Sequence, residues 1–407
     1  MARGPRIHAL RSFQYPAFRY LWVSAFLWAA ANWMQRLAVS WLVLKVTGSP
    51  FAVALVFALN HLPILLLGPF VGILMDRVNR KHLLMANQVA ATLTCIVIAL
   101  VAYSDNPQVW LVMVLSFVFG VSMAFNGPLI NTLMFDIVDA KDALNANALR
   151  SIGQRSMSIV GATLGGVLTD VVGVGTAVMV SAGILLVALG NTALMKYQRL
   201  VVQWAKAGVF RQLAEGVRHF RHNPPVKTML LGTMVAEGFG YGSLSLLPLF
   251  ADEGVLDVGS KGLGVMQGAI GMGGAVAGFI WAGFSQHKRR GLVLALAFVC
   301  YGVAMAGFSV SDVFLLSLAA LLLFGIAAGT YDMTIVVLLQ GNVPTEMRGR
   351  VMGAWSFAIG IQPLGAMVLG ALAEAFGVRV AMASAAGILV VTSLFSMLAV
   401  PHVRRLA

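Results

Sequence analysis

Five charged residues, Arg36, Arg150, Arg155, Glu237 and Asp332, stand inside apolar stretches of this 407-residue chain, and His61 is a weaker sixth. A charge deep in an apolar segment is costly unless it is paired or faces a wet cavity, so each one is a candidate for function. Glu237 lies in VAEGFGYG, where flanking glycines open space around it, and Asp332 lies in AAGTYDMT. Carboxylates in such surroundings can be tuned to take up and release protons, which makes Glu237 and Asp332 the candidates for proton coupling. The alternative is a static pair with Arg36 or Arg155 that only fixes helix packing.

Arg36 follows Asn32, Trp33, Met34 and Gln35, a polar break in an apolar helix. Its guanidinium could grip an anionic group of a substrate in a two-pronged contact. It could equally neutralise Glu237 or Asp332. Arg36, Gln35, Asn32, Asn126, Tyr331 and Arg155 form the candidate substrate cavity. His61 reads as a residue satisfied by its own helix. Pro128, two residues after Asn126, should kink its helix and suits a cavity wall.

The elements that carry these residues follow from composition. Only 11% of residues are charged and mean hydropathy is +0.87, too apolar for the surface of a water-soluble domain. The charges sit in short gaps between apolar runs of about 20 to 28 residues, each long enough to cross a hydrocarbon core of about 30 Å as a helix. We count about twelve runs: 18–44, 50–75, 82–103, 108–134, 146–172, 175–197, 226–250, 260–284, 290–309, 312–340, 351–375 and 378–400. Barrel strands would be shorter and would alternate. The basic leader MARGPRIHALR precedes a run too long for a signal peptide, with no small-residue cleavage site, so it reads as a retained first span.

The formal charge of +13 raises the question of nucleic acid, and its distribution answers against it. Arg3, Arg6, Arg11 and Arg19 precede or open the first run, Arg77, Arg80 and Lys81 fill the second gap, and Arg404 and Arg405 close the chain. The intervening gaps hold only Lys45, Lys261 and Arg379. By the positive-inside rule both termini are cytoplasmic, which requires an even number of spans. Cys95 and Cys300 fall inside spans, where neither a disulfide framework nor a metal motif is plausible, and read as packing residues.

The longest cytoplasmic gap divides the chain into a six-helix half over 1–197, a linker over 198–225 and a second half over 226–407. The linker contains VFRQLAEGVRHFRHNPP, an amphipathic helix suited to an anionic lipid surface or to a solvated connection. At an offset of about 205 residues, Phe119-Gly120 matches Phe324-Gly325, Val138 and Asp142 match Val343 and Glu346, and Gly161-Ala162 and Gly166 match Gly365-Ala366 and Gly370. Duplicated halves are the architecture of a transporter that rocks about a central site. The spacing of Gly161 and Gly165, with Gly166 beside them, lets helix backbones approach closely.

Gly72, Leu74, Asp76, Arg77, Arg80 and Lys81 follow G-x-L-x-D-R-x-x-R-K, which resembles the signature loop between spans two and three of the major facilitator superfamily. WMQRLAVSWLVLKVTGSPFAVALV, LNANALRSIGQ, HFRHNPPV and LQGNVPTEMRGRVMGAW resemble the branch containing the bacterial enterobactin exporter and related efflux proteins. The resemblance implies an all-α membrane protein of twelve helices in two pseudo-symmetric six-helix halves. It also implies proton-driven export from the bacterial inner membrane, of a siderophore or drug-like compound, by a monomer in contact with membrane lipids. Where antiporters of the superfamily often carry G-P-x-x-G-G, this chain reads Gly161-Ala162-Thr163-Leu164-Gly165-Gly166, keeping the glycines and losing the proline. The second-half copy of the loop, AGFSQHKRRGL, keeps its bases and has no acid corresponding to Asp76.

In that loop, Asp76 is expected to meet the N-terminal end of span eleven, near Gly349 to Met352, as a latch between the halves. Arg80 is expected to join the latch by reaching Asp136 in preference to Asp139, while Arg77 and Lys81 orient the chain. An importer on the same fold and a non-transporting receptor are the rival functions. An enzyme is disfavoured, since H-E-x-x-H and G-x-S-x-G are missing, and no G-x-x-x-x-G-K-[ST] marks a nucleotide site. No cofactor is implied.

Overall fold

The computed structural model describes residues 8–197, 223–252, 254–284, 290–344 and 347–399, and the secondary structure there is helical throughout. A short 3-10 segment, His8–Gln14, leads into α1 (Pro16–Thr47). The first half continues with α2 (Pro50–Arg77), α3 (Arg80–Ala102), α4 (Val109–Ile137), α5 (Ala143–Val172) and α6 (Val174–Leu194). The second half comprises α7 (Pro224–Val235), α8 (Leu247–Ala251), α9 (Gly259–Phe284), α10 (Arg290–Val310), α11 (Phe314–Gly341), α12 (Arg348–Ile359), α13 (Gln362–Phe376) and α14 (Val378–Ala399).

Local chemistry sets the ends. Gly48 closes α1 in the left-handed region, at φ 63°, and returns its N–H to the Leu44 carbonyl at 2.7 Å. Ser49 caps α2 by accepting from the Ala52 N–H, with Pro50 in the first turn where no donor is needed. Asn79 caps α3 by accepting from the N–H groups of Lys81 and His82.

Nine segments among the described residues are long and apolar enough to cross a membrane. The spans with more polar content, α1 with Arg19, Arg36 and Lys45 and α5 with Arg150, Arg155 and Asp170, together with the broken seventh, complete the twelve. Two spans differ from the sequence reading. The seventh is not one helix over 226–250: a π turn, Ala236–Gly240, and a 3-10 stretch, Tyr241–Leu246, separate α7 from α8. Ser243 and Ser245 turn their hydroxyls back onto the Gly240 and Gly242 carbonyls, and Pro248 lacks the N–H that would continue the ladder. The eleventh breaks between α12 and α13, where Pro363 cannot donate to Ile359. Cys95 is buried in α3, but Cys300 is exposed on α10 and is not a packing residue.

Within the first half, α1 packs on α5 and α6, α2 on α4, and α3 on α6. The halves meet along two seams, α5 on α9 and α2 on α13. Both seams need glycine. A Cβ at Gly166 would stand 2.5 Å from the Ser260 carbonyl oxygen and 2.9 Å from the Gly264 Cα, and one at Gly370 would overlap the Ala54 side chain. Gly161 and Gly165 serve a different contact: they bring α5 against the α1 backbone at Ala30 and Met34, inside the first half.

The end of the bundle where α1 finishes and α2 begins is closed across the halves. Lys45 Nζ meets Asp252 Oδ1 at 2.6 Å. Glu374 at the end of α13 accepts from Ser49 Oγ at 2.8 Å and from the Phe51 N–H at 3.0 Å, so a carboxylate sits on the N-terminus of α2, where unpaired N–H groups favour it. Asp170 occupies the repeat-related place, four residues after Gly166 as Glu374 is four after Gly370, and its Oδ1 lies beside Gly259 at the head of α9. At the opposite end, rich in Lys and Arg, a Cβ added at Gly68, Gly72, Gly349 or Gly353 would meet nothing within 4 Å among the described residues, and Leu66, Phe70 and Leu74 are exposed.

The Glu374 contact yields a prediction. Glu374→Ala removes a helix-terminal charge worth about 1 kcal/mol, which corresponds to roughly a fivefold shift in population. Spin labels at the exposed Val46 and Phe376 should report a longer distance population in that variant. An unchanged distance distribution would mean that Glu374 does not hold this end shut.

Candidate functional site

A cavity of about 580 Å³ lies between the halves, lined by Trp33, Gln35, Arg36, Phe57 and Asn60 from the first and by Ser245, Pro248 and Gln267 from the second. The Arg36 guanidinium rests 3.8 Å over the Trp33 ring and 5.8 Å from the centre of Phe57. Phe57 in turn stacks on His61 at 4.3 Å, and His61 Nδ1 is 2.9 Å from the Phe57 carbonyl oxygen. Among the described residues no carboxylate pairs with Arg36. The buried side-chain oxygens of Gln35, Asn60 and Gln267, and of Asn32 nearby, meet no protein donor. Buried acceptors left without donors are costly, and a guanidinium on an aromatic face keeps most of its hydrogen-bonding capacity. The lining can therefore bind a molecule that carries both an anionic group and donors.

The carboxylates lie elsewhere in the second half. The π turn carries Glu237, 7% exposed, and α11 carries Asp332. Tyr241 Oη donates to Asp332 Oδ2 at 2.7 Å, and Tyr331 Oη donates to Thr233 Oγ1 at 3.3 Å. Tyr301, fully buried, sets its ring edge-on to Tyr241 at 6.2 Å, and its hydroxyl has no protein partner. Gly240 admits that ring: a Cβ there would stand 2.5 Å from Tyr301 Cζ. Glu237 and Asp332 interact electrostatically, so the protonation of one is linked to that of the other. Arg155 of α5 also acts on Asp332, and its Nη1 fills the space that a Cβ at Gly274 would need. The base near an acid is thus Arg155, from the other half, while Arg36 stays in the cavity.

The candidates for one substrate cavity are therefore divided. Gln35 and Arg36 line the two-half cavity with Asn32 beside them, Tyr331 belongs to the acid cluster, and Arg155 bridges the halves. Asn126 lines a separate cavity within the first half. Tyr241 and Tyr301 escaped the sequence reading because a tyrosine in a membrane helix is ordinarily packing. Their signal was the spacing from Glu237 in VAEGFGYG, four residues to Tyr241.

The signature loop does something other than latch the halves through Arg80. Arg80 Nη1 contacts both oxygens of Asp136 at 2.9 and 2.8 Å, and Tyr197 Oη donates to Asp136 at 2.7 Å. Burial first, and Asp136 second, push the Tyr197 phenol up to about 12. Asp139 pairs with Lys141 at 3.1 Å instead, and that contact lowers its carboxyl below the ordinary value. Lys81 Nζ caps the end of α6 by donating to the Ala193 and Met195 carbonyls at 2.8 and 2.7 Å. Arg80, Asp136 and Lys81 all act inside the first half, which corrects the expectation of an Arg80 latch between halves and gives Lys81 more than an orienting task. Gly72 faces open space and Arg77 is exposed. The Asp76 side chain lies outside the described residues, as do the amphipathic stretch over 198–222, Lys288, Arg289 and Glu346. One acid was left without a task by the sequence: Asp142, 2% exposed, holds Arg11 Nε, Gln14 Nε2 and Tyr15 Oη, each at 2.9 Å, and pins the N-terminal segment to the start of α5.

Twelve spans in two six-helix halves, with a polar cavity between them, define a transporter of the major facilitator fold. The chain belongs to the transmembrane secretion effector family of that superfamily, whose model matches residues 7–406. It is 20% identical over 369 residues to macrolide efflux protein A of Streptococcus pyogenes, covering 89% of this chain and 90% of the relative. It is 23% identical over 395 residues to the enterobactin exporter of Shigella flexneri, covering 96% and 93%. Its fold is similar to that of a crystallised mutant of the nucleoside transporter NupG, with a TM-score of 0.75 at 16% identity over 94% of this chain and 99% of the other. It is a multi-pass membrane transporter of a small molecule, not an enzyme.

The Arg80–Asp136 contact generates a stability prediction. Both side chains are about nine-tenths shielded, at 10% and 9% exposure, so removing one strands the other. Arg80→Ala should cost about 3 kcal/mol. Thermal unfolding in detergent should show a clear drop for Arg80→Ala and little for Lys141→Ala, whose exposed pair contributes less than about 1 kcal/mol. Equal midpoints would assign Arg80 no structural role.

Proposed function

We propose that the protein exports a small amphipathic molecule, of the siderophore or drug-like class, in exchange for protons by alternating access. It works as a monomer in the bacterial inner membrane, with both termini in the cytoplasm. The observation that carries this reading is the two-half cavity, where Arg36 and three amide oxygens await a ligand, closed at one end by contacts that cross the halves.

The placement of Lys and Arg supports assigning the open end to the cytoplasm. A substrate entering there meets Arg36 with its anionic group and the amide oxygens of Gln35, Asn60 and Gln267 with its donors. Asp332 is held by a hydrogen bond from Tyr241 within its half and is attracted, without a direct ion pair, by Arg155 across the seam. Protonation of Asp332 removes the charge that attracts Arg155, loosening α5 from the second half. Glu237, linked to Asp332, offers the second protonation site. Direction is supported by the relatives named for efflux and export. Asp76 is then a latch for the opposite state, in which that end closes onto α12.

The test uses inverted vesicles holding the full chain, with erythromycin and iron-free enterobactin as probes and a pH-sensitive dye as the second readout. Wild type should accumulate a probe and dissipate the proton gradient when the probe is added. Asp332→Asn and Glu237→Gln should lower gradient-driven accumulation at least about tenfold while exchange of bound probe persists. Full coupling in both variants would remove the acids from the mechanism. Accumulation only in right-side-out vesicles would make the protein an importer.

A further inference from the structure

The first half holds a second cavity of about 400 Å³ between α1, α4 and α5, nearer the Lys/Arg-rich end than Arg36 is along α1. One wall is aromatic. Trp22 and Phe26 stack at 4.9 Å with an interplanar angle of 27°, and Phe13 braces Trp22 edge-on at 5.3 Å. The indole is fixed by its Nε1 donating to the Leu149 carbonyl at 3.0 Å, and it lies on Gly153, where a Cβ would stand 3.1 Å from Trp22 Cζ2. A side chain at 153 would crowd the indole, which would have to give by a few tenths of an ångström.

The α5 lining carries one charge. Arg150 donates from Nη1 to Gln154 Oε1 at 3.0 Å and from Nη2 to Asn147 Oδ1 at 3.2 Å, while its buried Nε meets no protein acceptor. Both of its partners are neutral, so they aim the guanidinium without cancelling it. None of the lining residues is acidic. Asn126, on α4 beside Gly127, adds a buried side-chain oxygen without a donor.

We propose that this cavity is a binding site for a planar aromatic anion, an aryl carboxylate or catecholate. Its ring lies against Trp22 and Phe26, its negative oxygens meet Arg150, and a hydroxyl beside the ring donates to Asn126. Each element answers one part of such a ligand. A stacked aromatic wall favours a flat ring, a guanidinium with no competing carboxylate favours an anion over a cation, and a lone acceptor favours a ligand that brings its own donor. A neutral drug would leave Arg150 unanswered, and an aliphatic anion would leave the aromatic wall unused. Resting on the transporter reading, the site is a loading station passed before the two-half cavity, and Arg150 and Arg155 on one helix give an anion successive partners along that route.

Binding of salicylate, cyclohexanecarboxylate and benzamide to the full-length protein in nanodiscs, measured by calorimetry without any gradient, tests this. Salicylate should bind saturably and the other two at least about tenfold more weakly. Arg150→Gln should weaken salicylate at least about tenfold, and Arg150→Lys should restore part of that loss. Circular dichroism and gel filtration identify variants that fold. Absence of saturable binding, equal binding of all three probes, or an unchanged affinity in folded Arg150→Gln would overturn the assignment. Loss of salicylate binding in Arg36→Gln but not in Arg150→Gln would do the same, by moving the site to the two-half cavity. Because no transport is read, a failure of proton coupling leaves this result unaffected, and a failure here leaves the export reading standing.

Discussion

Two bundles that must part and rejoin cannot be held together by deep interdigitation of side chains. In this protein the constraint is met with backbone contact. Gly166 lies on Ser260 and Gly264, and Gly370 lies on Phe51 and Ala54, so each seam is a smooth surface along which helices pack closely and can separate without unlocking rotamers. The neighbouring glycines face the other way. Gly161 and Gly165 bind α5 to α1, and Gly365 binds α13 to Gly238 in the seventh span. In each half, therefore, one helix presents one glycine face inward, for cohesion of its own bundle, and another outward, for the moving seam. Ile159, Thr163 and Arg155 of α5 also fill the space left by Gly271, Gly268 and Gly274 of α9, and polar contacts such as Lys45–Asp252, Ser260 on the Gly166 carbonyl and Glu374 on α2 join the halves as well.

The irregular seventh span follows from the same economy of side chains. A regular helix over 226–250 would bury every backbone group and keep a fixed 3.6-residue period. The π turn at Ala236–Gly240 breaks that period where Glu237 must sit and places Tyr241 against Asp332. Glycine at 238, 240 and 242 makes the break sterically possible, and it also lets Gly238 and Gly242 lie on α13 and Gly240 on Tyr301. Cohesion, the geometry around Glu237 and Tyr241, and the helix break share three glycines. A mutation there cannot change one without the others.

This explains how far the fold and the site could be read from residues alone. Span positions were legible because apolar length is a direct consequence of bilayer thickness, and ten of the runs have the ends that length predicts, within a few residues. The breaks in the seventh and eleventh spans were not, since glycine and proline also occur in unbroken membrane helices and the outcome depends on neighbours such as Tyr301 and Leu65 that pack there. Charged residues announced themselves, because each costs energy wherever it lies. Their grouping did not. Arg155 and Asn126 lie at similar depths from the Lys/Arg-rich ends of their runs, yet the first is turned toward the second half, where its charge acts on Asp332, and the second closes a chamber with Arg150. Sequence distance along a helix gives depth, whereas azimuth around the bundle comes only from packing. Arg80 shows the same limit. Its expected partner, Asp136 rather than Asp139, is the one it meets, but both residues belong to the first half, so the pair cannot tie the halves together.

The three arginines within the spans, Arg150, Arg155 and Arg36, consequently have different relations to negative charge, and the differences order them. Arg150 is aimed by neutral amides, Arg155 lies within the electrostatic influence of a carboxylate across a seam, and Arg36 rests on aromatic rings with no acid paired to it among the described residues. An anion moving from the Lys/Arg-rich end toward the closed end would compete with no carboxylate at the first and with none at the last. Only near Arg155 would it come under the influence of a carboxylate, Asp332, the residue proposed to take the proton. In the proposed cycle a substrate anion near Arg155 and a proton on Asp332 act on the seam in the same sense, since each weakens the attraction between Arg155 of α5 and Asp332 of the second half.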